Sequence, residues 1–459
     1  MSSVKRKPSS RLQLQRVPVR RLPPDQRITT VDEVVLGYTE EQALREASRC
    51  LSCRSEPCTK ACPINQRAME FITLIKEGRY RDAYAVIRAD NPLGAVCGRV
   101  CYHPCEEWDP ERRLGCVIGI KGEPVSIMRL KRFVHDTVQE PMQEAVTVEP
   151  KEQRVAIIGS GPAGLVAAHD LALLGYRVTI FERHEELGGM LTLAIPEFRL
   201  PREAIQSDID KILSLGVQVE AGRDVESLEE IRARFHAVLV ATGAPSPRHL
   251  GVEGESLEGV HHALDFLLKV NTGEDVDVGR RAAVIGGGDV AMDAARTALR
   301  LGAETTVVYR RSEKEMPVDP EQYQEAKEEG VKFIFLMTPW RIMGEGRVSA
   351  MECQRMRLGE PDESGRKRPV AIDGAIELLP VDSVLVAIGE RPDLSLFPGA
   401  LKATRWGTPV VDEGYATNLE GVFAAGDVVT GPKTIVEAMA AGRGAAKAIV
   451  KQLTEREGP

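Results

Sequence analysis

The residues with the most distinctive chemistry are eight cysteines confined to residues 50–116, and only Cys353 lies elsewhere in the 459-residue chain. They form two groups of four. Thiolates are soft ligands that suit iron–sulfur clusters or zinc, and a run of four followed by a proline is typical of a ferredoxin-type cluster loop. Two groups of four predict two four-iron clusters, with a pair of zinc sites as the alternative. The groups are Cys50, Cys53, Cys58 and Cys62 before Pro63, and then Cys97, Cys101, Cys105 and Cys116.

A second kind of chemistry is indicated by the stretch RVAIIGSGPAGLVAAHDLALLGYRVTIFE, from Arg154 to Glu182. It predicts a strand, a glycine turn, a helix and a second strand that ends in an acid. Such a turn presents backbone N–H groups and a helix N-terminus to a pyrophosphate, and the acid accepts hydrogen bonds from a ribose. The predicted dinucleotide-binding residues are Gly159, Gly161, Pro162, Ala163, Gly164 and Glu182.

The pattern recurs in AAVIGGGDVAMD, where the third glycine position is an alanine. The following strand ends in Arg310 and Arg311 instead of an acid. Guanidinium groups at that point suit a ribose 2′-phosphate and therefore predict NADPH, although a solvated strand end is the alternative. The predicted cofactor-binding residues of this unit are Gly286, Gly288, Asp289, Ala291, Arg310 and Arg311.

The elements that must position these residues follow from composition and periodicity. Thr39 and Gln42 predict a capping box at the start of a helix, residues 66–90 read as helical, and residues 134–153 read as a linker. A helix is predicted from Arg202 to Leu215 and strands at Val217–Val219 and Ala237–Val240, and Cys353 is expected to be buried in a strand.

The N-terminal residues and the overall charge limit which partners the protein can have. Residues 1–24 contain seven Lys or Arg and no acid, which predicts a flexible basic arm that either docks an acidic partner or has no role; a transit peptide is a third option. A formal charge of -8 argues against general nucleic-acid binding, and no apolar run is long enough for a membrane span. Clustered rather than dispersed cysteines favour a reducing cytoplasm.

The segments CLSCRSEPCTKACP, VCGRVC and CVIGIKGEPVSI, ahead of GSGPAG, together resemble the small (β) subunit of NADPH-dependent glutamate synthase and its relatives. These relatives include the N-terminal half of dihydropyrimidine dehydrogenase and the large subunit of the NADH-dependent ferredoxin:NADP oxidoreductase. The resemblance implies an α/β two-dinucleotide-binding flavoprotein with two Rossmann-like domains and an α-helical N-terminal iron–sulfur domain. The implied parts are a basic arm (1–30), a cluster domain (31–140), a discontinuous FAD domain (150–250 and 385–459) and an NADP(H) domain (251–384).

The same resemblance assigns Cys50, Cys53, Cys58 and Cys116 to one cluster and Cys62, Cys101 and Cys105 to the other. Relatives complete the second set with a Glu or Gln, but here Lys131 stands at that position, and an ammonium group has no lone pair to offer. We therefore predict Cys97 as the fourth ligand. The spacings around Cys105 and Cys116 differ from the family pattern, so an exchange of these two cysteines between clusters stays open.

The resemblance also implies three further contacts with FAD. Gly189 and Met190 would lie beneath the flavin, and Thr242 and Gly243 belong to a second FAD motif. Gly426, Asp427 and Thr434 belong to a third, in which Asp427 holds the ribityl chain and a glycine- and alanine-rich helix from Ile435 to Ile449 approaches the cofactor.

These features predict an oxidoreductase that passes electrons from NADPH through FAD and two [4Fe-4S] clusters to a partner. No acid–base residue is nominated, because hydride chemistry belongs to the cofactors. The implied partner is the glutamate synthase large subunit; the alternative is a ferredoxin-linked, sulfur-reducing, hydrogenase or aldehyde-oxidising complex. An NADPH:disulfide reductase would need a Cys-x-x-Cys in a Rossmann unit, which is missing, and a zinc-binding regulatory protein would leave both dinucleotide motifs unexplained.

Overall fold

The computed structural model describes residues 13–138, 148–363, 365–393 and 401–456. The chain divides into two units, one formed by Met1–Arg21 with Leu36–Gln143 and the other by Leu22–Val35 with Glu144–Pro459. The first unit contains the eight clustered cysteines, and the second contains both glycine-rich motifs.

Up to residue 138 the chain is mainly helical. Its elements, in chain order, are β1 (Arg20–Arg21), α1 (Pro24–Arg27), β2 (Val35–Gly37), α2 (Glu40–Ser48), α3 (Pro57–Ala61), α4 (Ala68–Lys76), α5 (Tyr80–Asp90), α6 (Gly94–Cys97), a 3-10 turn (Val117–Ile120) and α7 (Ile127–Thr137).

From residue 148 onwards strands and helices alternate. The elements are β3 (Arg154–Ile158), α8 (Pro162–Leu173), β4 (Arg177–Phe181), α9 (Met190–Leu193), α10 (Arg202–Leu213), β5 (Gln218–Glu220), α11 (Leu228–Arg234), β6 (Ala237–Val240), β7 (Ser246–Pro247), β8 (Val260–His262), α12 (Ala263–Asn271), β9 (Arg281–Ile285), α13 (Asp289–Arg300), β10 (Glu304–Tyr309), a 3-10 turn (Glu313–Glu315), α14 (Pro320–Glu329), β11 (Lys332–Phe335), β12 (Met337–Glu345), β13 (Arg347–Pro361), β14 (Lys367–Pro380), β15 (Ser383–Val386), β16 (Glu390–Arg391), β17 (Val422–Ala424), α15 (Asp427–Thr430) and α16 (Ile435–Arg456).

The helical unit is built around a core that α2, α4, α5 and α7 share, with Phe71, Ile87 and Leu130 fully buried. The predicted capping box is present, since the Gln42 N–H donates to the Thr39 hydroxyl and the Gln42 side chain accepts from the Thr39 N–H. The region 66–90 is mainly helical, as predicted, and forms the two helices α4 and α5. Gly78, with φ +71°, lies in the turn between α4 and α5 and lets the chain reverse.

Residues 13–30 differ from the predicted flexible arm, of which residues 1–12 lie outside the described part. A buried Glu46–Arg49 ion pair accounts for the difference. Glu46 accepts the N–H of Val17 at 2.7 Å, and Arg49 donates to the carbonyl of Leu14 at 3.0 Å. Because buried charges need such partners, the irregular segment that supplies them is fixed in place, and Val17 is buried.

The first parallel sheet of the second unit has the strand order β17-β6-β3-β4-β5. Strand β3 lies between β4 and β6, and β17 joins from almost two hundred residues further along the chain. Parallel sheets covered by helices are buried on both faces, and β3 and β6 are accordingly apolar. This sheet is therefore built from two separate stretches of the chain.

The second parallel sheet has the order β11-β10-β9-β15-β8. The implied domain boundary at 384/385 falls inside β15, which pairs with β9 and β8 up to Val386. Leu385 and Val386 therefore belong to the second sheet, because their backbone groups are hydrogen-bonded there. The chain returns towards the first sheet after that strand.

A three-stranded antiparallel sheet, β12-β13-β14, is formed by the stretch of chain between β11 and β15 of the second sheet. Cys353 lies in β13 and is fully buried, as the sequence predicts. The predicted linker begins later than expected, since α7 continues to Thr137, and residues 139–147 lie outside the described part. Among the described residues, no helix is both long and apolar enough to cross a lipid bilayer.

Candidate cofactor and cluster sites

The first glycine loop connects β3 to α8 in a shape that leaves its N–H groups open. Gly159 has φ +105°, and a Cβ there would lie 2.5 Å from the Ala241 carbonyl oxygen. Gly161 is the N-cap of the twelve-residue α8, and no side chain caps that end. A Cβ on Gly161 would meet nothing within 4 Å. The uncapped amides and the open space beside them fit a pyrophosphate.

Glu182 lies directly after β4 and is oriented by the same loop. Its carboxylate accepts the N–H and the hydroxyl of Ser160 at 2.9 and 2.6 Å, and the N–H of His184 at 3.0 Å. A carboxylate has about four lone-pair positions, so acceptor capacity remains for ribose hydroxyls. Sequence reasoning missed Ser160, which also accepts the N–H of Gly188 at 3.1 Å; its place inside the glycine motif was the available signal.

The segments carried over from the family converge on this loop. Gly189, with φ +57°, comes so close that its Cβ would lie 3.0 Å from the Gly161 Cα, and Met190 follows it half exposed at the start of α9. After β6, the hydroxyl of Thr242 is buried and has no hydrogen-bond partner within the described residues. Gly243 has φ +71° and open space around it. An orphaned buried hydroxyl beside an open glycine is a fit for a bound cofactor.

The third implied FAD motif joins the others through Gly426. A Cβ on Gly426 would lie 2.9 Å from the Cβ of Ala163, so this loop touches the start of α8. The next residue, Asp427, accepts the N–H of Lys433 at 3.2 Å. Burial raises the pKa of Asp427 to about 7, and the nearby Glu437 carboxylate adds to the effect. The carboxyl group can therefore hold a proton near neutral pH.

The C-terminal helix α16 has protein contacts at both of the places where the resemblance implies FAD contacts. Thr434 caps α16, since its hydroxyl accepts the N–H of Glu437 and donates to the Glu437 carboxylate at 2.7 Å. The glycine-rich helix also makes a close approach to protein. A Cβ on Gly442 would lie 2.1 Å from the Ala163 carbonyl oxygen, so this glycine lets α16 pack directly on α8.

The second glycine loop joins β9 to α13. Gly286 has φ +149°, and its Cβ would lie 2.1 Å from the Ala387 carbonyl oxygen, whereas a Cβ on Gly288 would meet nothing. Ala291 fills the third position and is fully buried. Asp289 begins α13 and accepts from the Asp319 N–H and the Gln322 side-chain amide at 3.1 and 2.9 Å. Burial raises the pKa of Asp289.

The two arginines after β10 have different surroundings. Arg310 is exposed and makes no ion pair with any residue in the described ranges. Arg311 is buried, donates to Asp362 at 2.6 Å and donates to the Lys367 carbonyl at 2.9 Å. These two acceptors belong to the turn between β13 and β14, whose Arg366 also lies within electrostatic reach of Arg310. The turn therefore closes over the strand end where a 2′-phosphate is predicted.

In the helical unit, one group of thiols lines a single apolar pocket. Burial raises the pKa of Cys58 to about 12, with further contributions from the neighbouring Cys50 and Cys116 thiols. The Val125 N–H donates to the Cys116 sulfur at 3.3 Å. The pocket is lined by Cys50, Cys53, Cys58 and Cys116 together with apolar residues that include Met69, Ile72 and Ile127. Four converging thiols in apolar surroundings are a donor set that fits a four-iron cluster.

The other four cysteines surround the buried ammonium group of Lys131. The Cys97 and Cys101 side chains are hydrogen-bonded to each other, and that bond, together with Lys131, lowers the pKa of Cys101 to about 6. Against the effect of burial, the charges of these thiols raise the pKa of Lys131. The thiols that act on Lys131 are Cys97, Cys101, Cys62 and Cys105. The structure thus brings Cys97 near Lys131 together with Cys62, Cys101 and Cys105, whereas Cys116 lines the apolar pocket with Cys50, Cys53 and Cys58.

Comparison with known proteins gives consistent results. Residues 153–442 match the pyridine nucleotide-disulphide oxidoreductase family, and residues 27–143 match domain II of dihydropyrimidine dehydrogenase, described as a 4Fe-4S cluster domain. The chain is 41% identical to the β subunit of the NADP(+)-dependent formate dehydrogenase of Moorella thermoacetica, over 87% of this chain and 60% of that protein. It is 35% identical to the small chain of glutamate synthase [NADPH] of Azospirillum brasilense, over 95% and 94%.

The fold of the second unit has counterparts among solved structures. Mycobacterium tuberculosis FprA in complex with NADPH superposes with a TM-score of 0.59 at 22% identity, over 67% of this chain and 86% of that one. At this identity the likeness concerns the fold alone. The chain spans only three-fifths of the length of the Moorella relative, whereas it matches the Azospirillum small chain almost end to end.

Proposed function

Since the chain belongs to the pyridine nucleotide-disulphide oxidoreductase family and carries a 4Fe-4S domain, we propose that it is the NADPH-oxidising electron-input subunit of a larger redox complex. The observation that carries this proposal is the presence, in one chain, of two complete dinucleotide loops and two groups of four thiols. A disulfide reductase is disfavoured, because Cys353 is the one cysteine outside residues 50–116.

When bound, FAD and the iron–sulfur clusters supply hydride acceptance and single-electron transfer. The protein's own residues bind these cofactors and orient them. The uncapped start of α8 and Glu182 would hold one dinucleotide, while the uncapped start of α13 and Arg310 would hold the other. No side chain needs to move a proton in this scheme. The proposal is tested by measuring flavin and iron content and NADPH-dependent dye reduction; a colourless protein with zinc in place of iron would contradict it.

We further propose that Cys62, Cys97, Cys101 and Cys105 form one cluster ligand set and Cys50, Cys53, Cys58 and Cys116 the other. The support is the common surroundings of each group: a shared apolar pocket for one and the shared Lys131 ammonium group for the other. The variant Cys97→Ser should lose one cluster and therefore about half of the iron. Cys353→Ser is the matched control, because that buried thiol lies in β13. Unchanged iron in Cys97→Ser would show that Cys97 is not a ligand.

The position of Lys131 suggests a role in tuning. A cation buried among four thiols cannot be a ligand, but it offsets their negative charge and favours the reduced, more negative form of a cluster. We therefore expect Lys131→Met, which keeps the length of the side chain, to retain both clusters and to lower the reduction potential of one of them. Redox titration followed by electron paramagnetic resonance measures this. Loss of the cluster itself would instead mean that Lys131 is needed for assembly.

For the partner, we favour the large subunit of glutamate synthase. The support is the end-to-end match to the Azospirillum small chain. A different redox complex is the second candidate, because identity to the formate dehydrogenase β subunit is higher although that protein is longer. Purification of the complex from the native host, followed by two assays, separates them. Glutamate formation from glutamine and 2-oxoglutarate would support the first, and formate-dependent NADP reduction without glutamate formation would support the second.

A further inference from the structure

Two histidines and a glutamate converge at the edge of the second parallel sheet. The donor atoms of His249, Glu255 and His262 all lie within 4.8 Å of one another. The Nδ1 atom of His249 is 3.5 Å from the Glu255 carboxylate, and the two imidazole rings are 4.9 Å apart at an interplanar angle of 79°.

The fold fixes two of the three side chains before any ligand binds. His262 ends β8, the edge strand, where it pairs with Val386 of β15. The Glu255 carboxylate accepts the N–H groups of Leu250 and Gly251, both at 2.7 Å. These bonds hold the carboxylate against the loop that carries His249, so the three groups are directed at one another by the backbone.

The geometry suits a transition-metal ion. Two imidazoles and one carboxylate are a known three-ligand set for zinc, with a fourth position left for water. A nitrogen that binds zinc at ~2 Å places its ring centroid roughly 3 Å from the ion, so two such rings around a tetrahedral ion lie about 5 Å apart. The observed centroid distance of 4.9 Å agrees with that arrangement.

The hydrogen-bonding state of His262 also favours a bound metal ion. Its Nδ1 atom is buried and has no partner among the described residues, and a buried polar atom without a partner is costly unless a ligand satisfies it. The His249 side chain is 64% exposed, whereas that of Glu255 is 17% exposed. The site is therefore open to solvent on one side and closed on the other, as ion entry requires.

We propose that His249, Glu255 and His262 bind one divalent transition-metal ion of the zinc type, independent of the cluster cysteines. His249 lies two residues after β7, on the crossing from the first parallel sheet to the second. An ion held there ties this crossing to the end of β8. Because a ligand that binds only the folded state stabilises it, zinc should also raise the melting temperature.

Zinc titration of the holoprotein, with its flavin and clusters loaded, tests the proposal. We expect about one added zinc per chain, with nitrogen and oxygen neighbours at ~2.0 Å in zinc-edge X-ray absorption and no sulfur at ~2.3 Å. His249→Ala should lose this zinc and the rise in melting temperature, and it should fold normally because the His249 side chain is exposed. His261→Gln is the matched control, since His261 is the preceding residue of β8 and strand residues alternate in direction, and it should keep both.

Three results would overturn the proposal. They are the absence of an added zinc in the wild-type protein, retention of that zinc by His249→Ala, and sulfur neighbours in the absorption spectrum. The last result would place the ion on cysteines. Comparison of His249→Ala with His261→Gln separates loss of a ligand from a general effect of removing a histidine from this part of the fold.

Discussion

The two glycine loops have the same plan, but they differ in how closely they are packed. In the first, Gly164 of α8 lies so near β3 that a Cβ would come within 2.0 Å of the Gly159 carbonyl oxygen, and α16 packs on α8 through Gly442. In the second, Ala291 occupies the position of Gly164 and its methyl group fits. The third glycine position of the first loop is therefore packed against backbone, whereas the same position of the second loop has room for a methyl group.

The strand ends differ in charge and exposure as well. Glu182 is buried and hydrogen-bonded into its own glycine loop, whereas Arg310 is exposed. Enclosed, hydrogen-bonded carboxylates suit a cofactor that stays bound, and an exposed guanidinium suits a charged substrate that exchanges. The difference teaches that similar sequence motifs are adapted to retention or to exchange by what packs around them.

The largest expected effect comes from removing the tight packing of the first loop. Gly164→Ala should destabilise this part of the fold by ~3 kcal/mol or more, because the backbone itself must move to accept a methyl group. FAD content after purification and the thermal unfolding curve measure it. The reciprocal variant, Ala291→Gly, should leave FAD content unchanged. Full FAD content in Gly164→Ala would mean that the two loops are equally tolerant.

A second test concerns pH, because the first site contains a carboxyl group, that of Asp427, whose pKa lies near neutrality. The pKa of Asp427 is raised to about 7, so the folded state keeps its proton while the unfolded state loses it near pH 4. The contribution of Asp427 to the stability of the flavin-free protein should therefore be most favourable below about pH 4 and should fall as pH rises from about 4 to about 7, by up to about 4 kcal/mol.

Asp427→Asn isolates that contribution, since the amide does not titrate. We expect the variant and the wild type to unfold alike near pH 4, and the variant to be the more stable above pH 7. Denaturant unfolding at a series of pH values measures the difference, and other titrating groups cancel in the comparison. Parallel curves over the whole range would show that burial of Asp427 has no such cost.

The third prediction concerns selectivity at the second site. Arg310→Ala should lower kcat/KM for NADPH about 30-fold, which corresponds to ~2 kcal/mol, and should leave kcat/KM for NADH unchanged. Arg311→Ala should act differently, because Arg311 is paired with Asp362 and anchors the β13–β14 turn. That variant should be less stable and should have lower activity with both NADPH and NADH. Equal losses of NADPH and NADH in Arg310→Ala would rule out recognition of the 2′-phosphate by this residue.

The smallest expected effect is at Gly288, where the protein leaves space for a methyl group. Gly288→Ala should fold normally but should weaken the binding of NADPH and of NADH equally, by roughly tenfold or ~1.4 kcal/mol. The reason is that the methyl group would lie where the pyrophosphate approaches. Nucleotide kinetics and a melting curve test this together. A change in melting temperature comparable to that of Gly164→Ala would contradict the contrast between the loops.

The sequence by itself determined the two dinucleotide units and their order. A strand, a glycine turn and a helix are encoded within about thirty residues, so local pattern was sufficient. The same holds for the capping box at Thr39 and for the two groups of cysteines. The family resemblance supplied the cofactors and the expectation of a discontinuous FAD domain, and the similarity to the Azospirillum small chain covers most of the chain.

Only the tertiary structure decided which groups meet. Spacing left open whether Cys105 or Cys116 joins Cys97, and the fold placed Cys105 with Cys97 and Lys131. Arg311 is paired with Asp362, which is fifty-one residues further along the chain. His249 and His262 meet because a loop held by Glu255 returns to the edge strand. Contacts of this kind depend on packing between distant segments, and the local periodicity of a sequence does not record them.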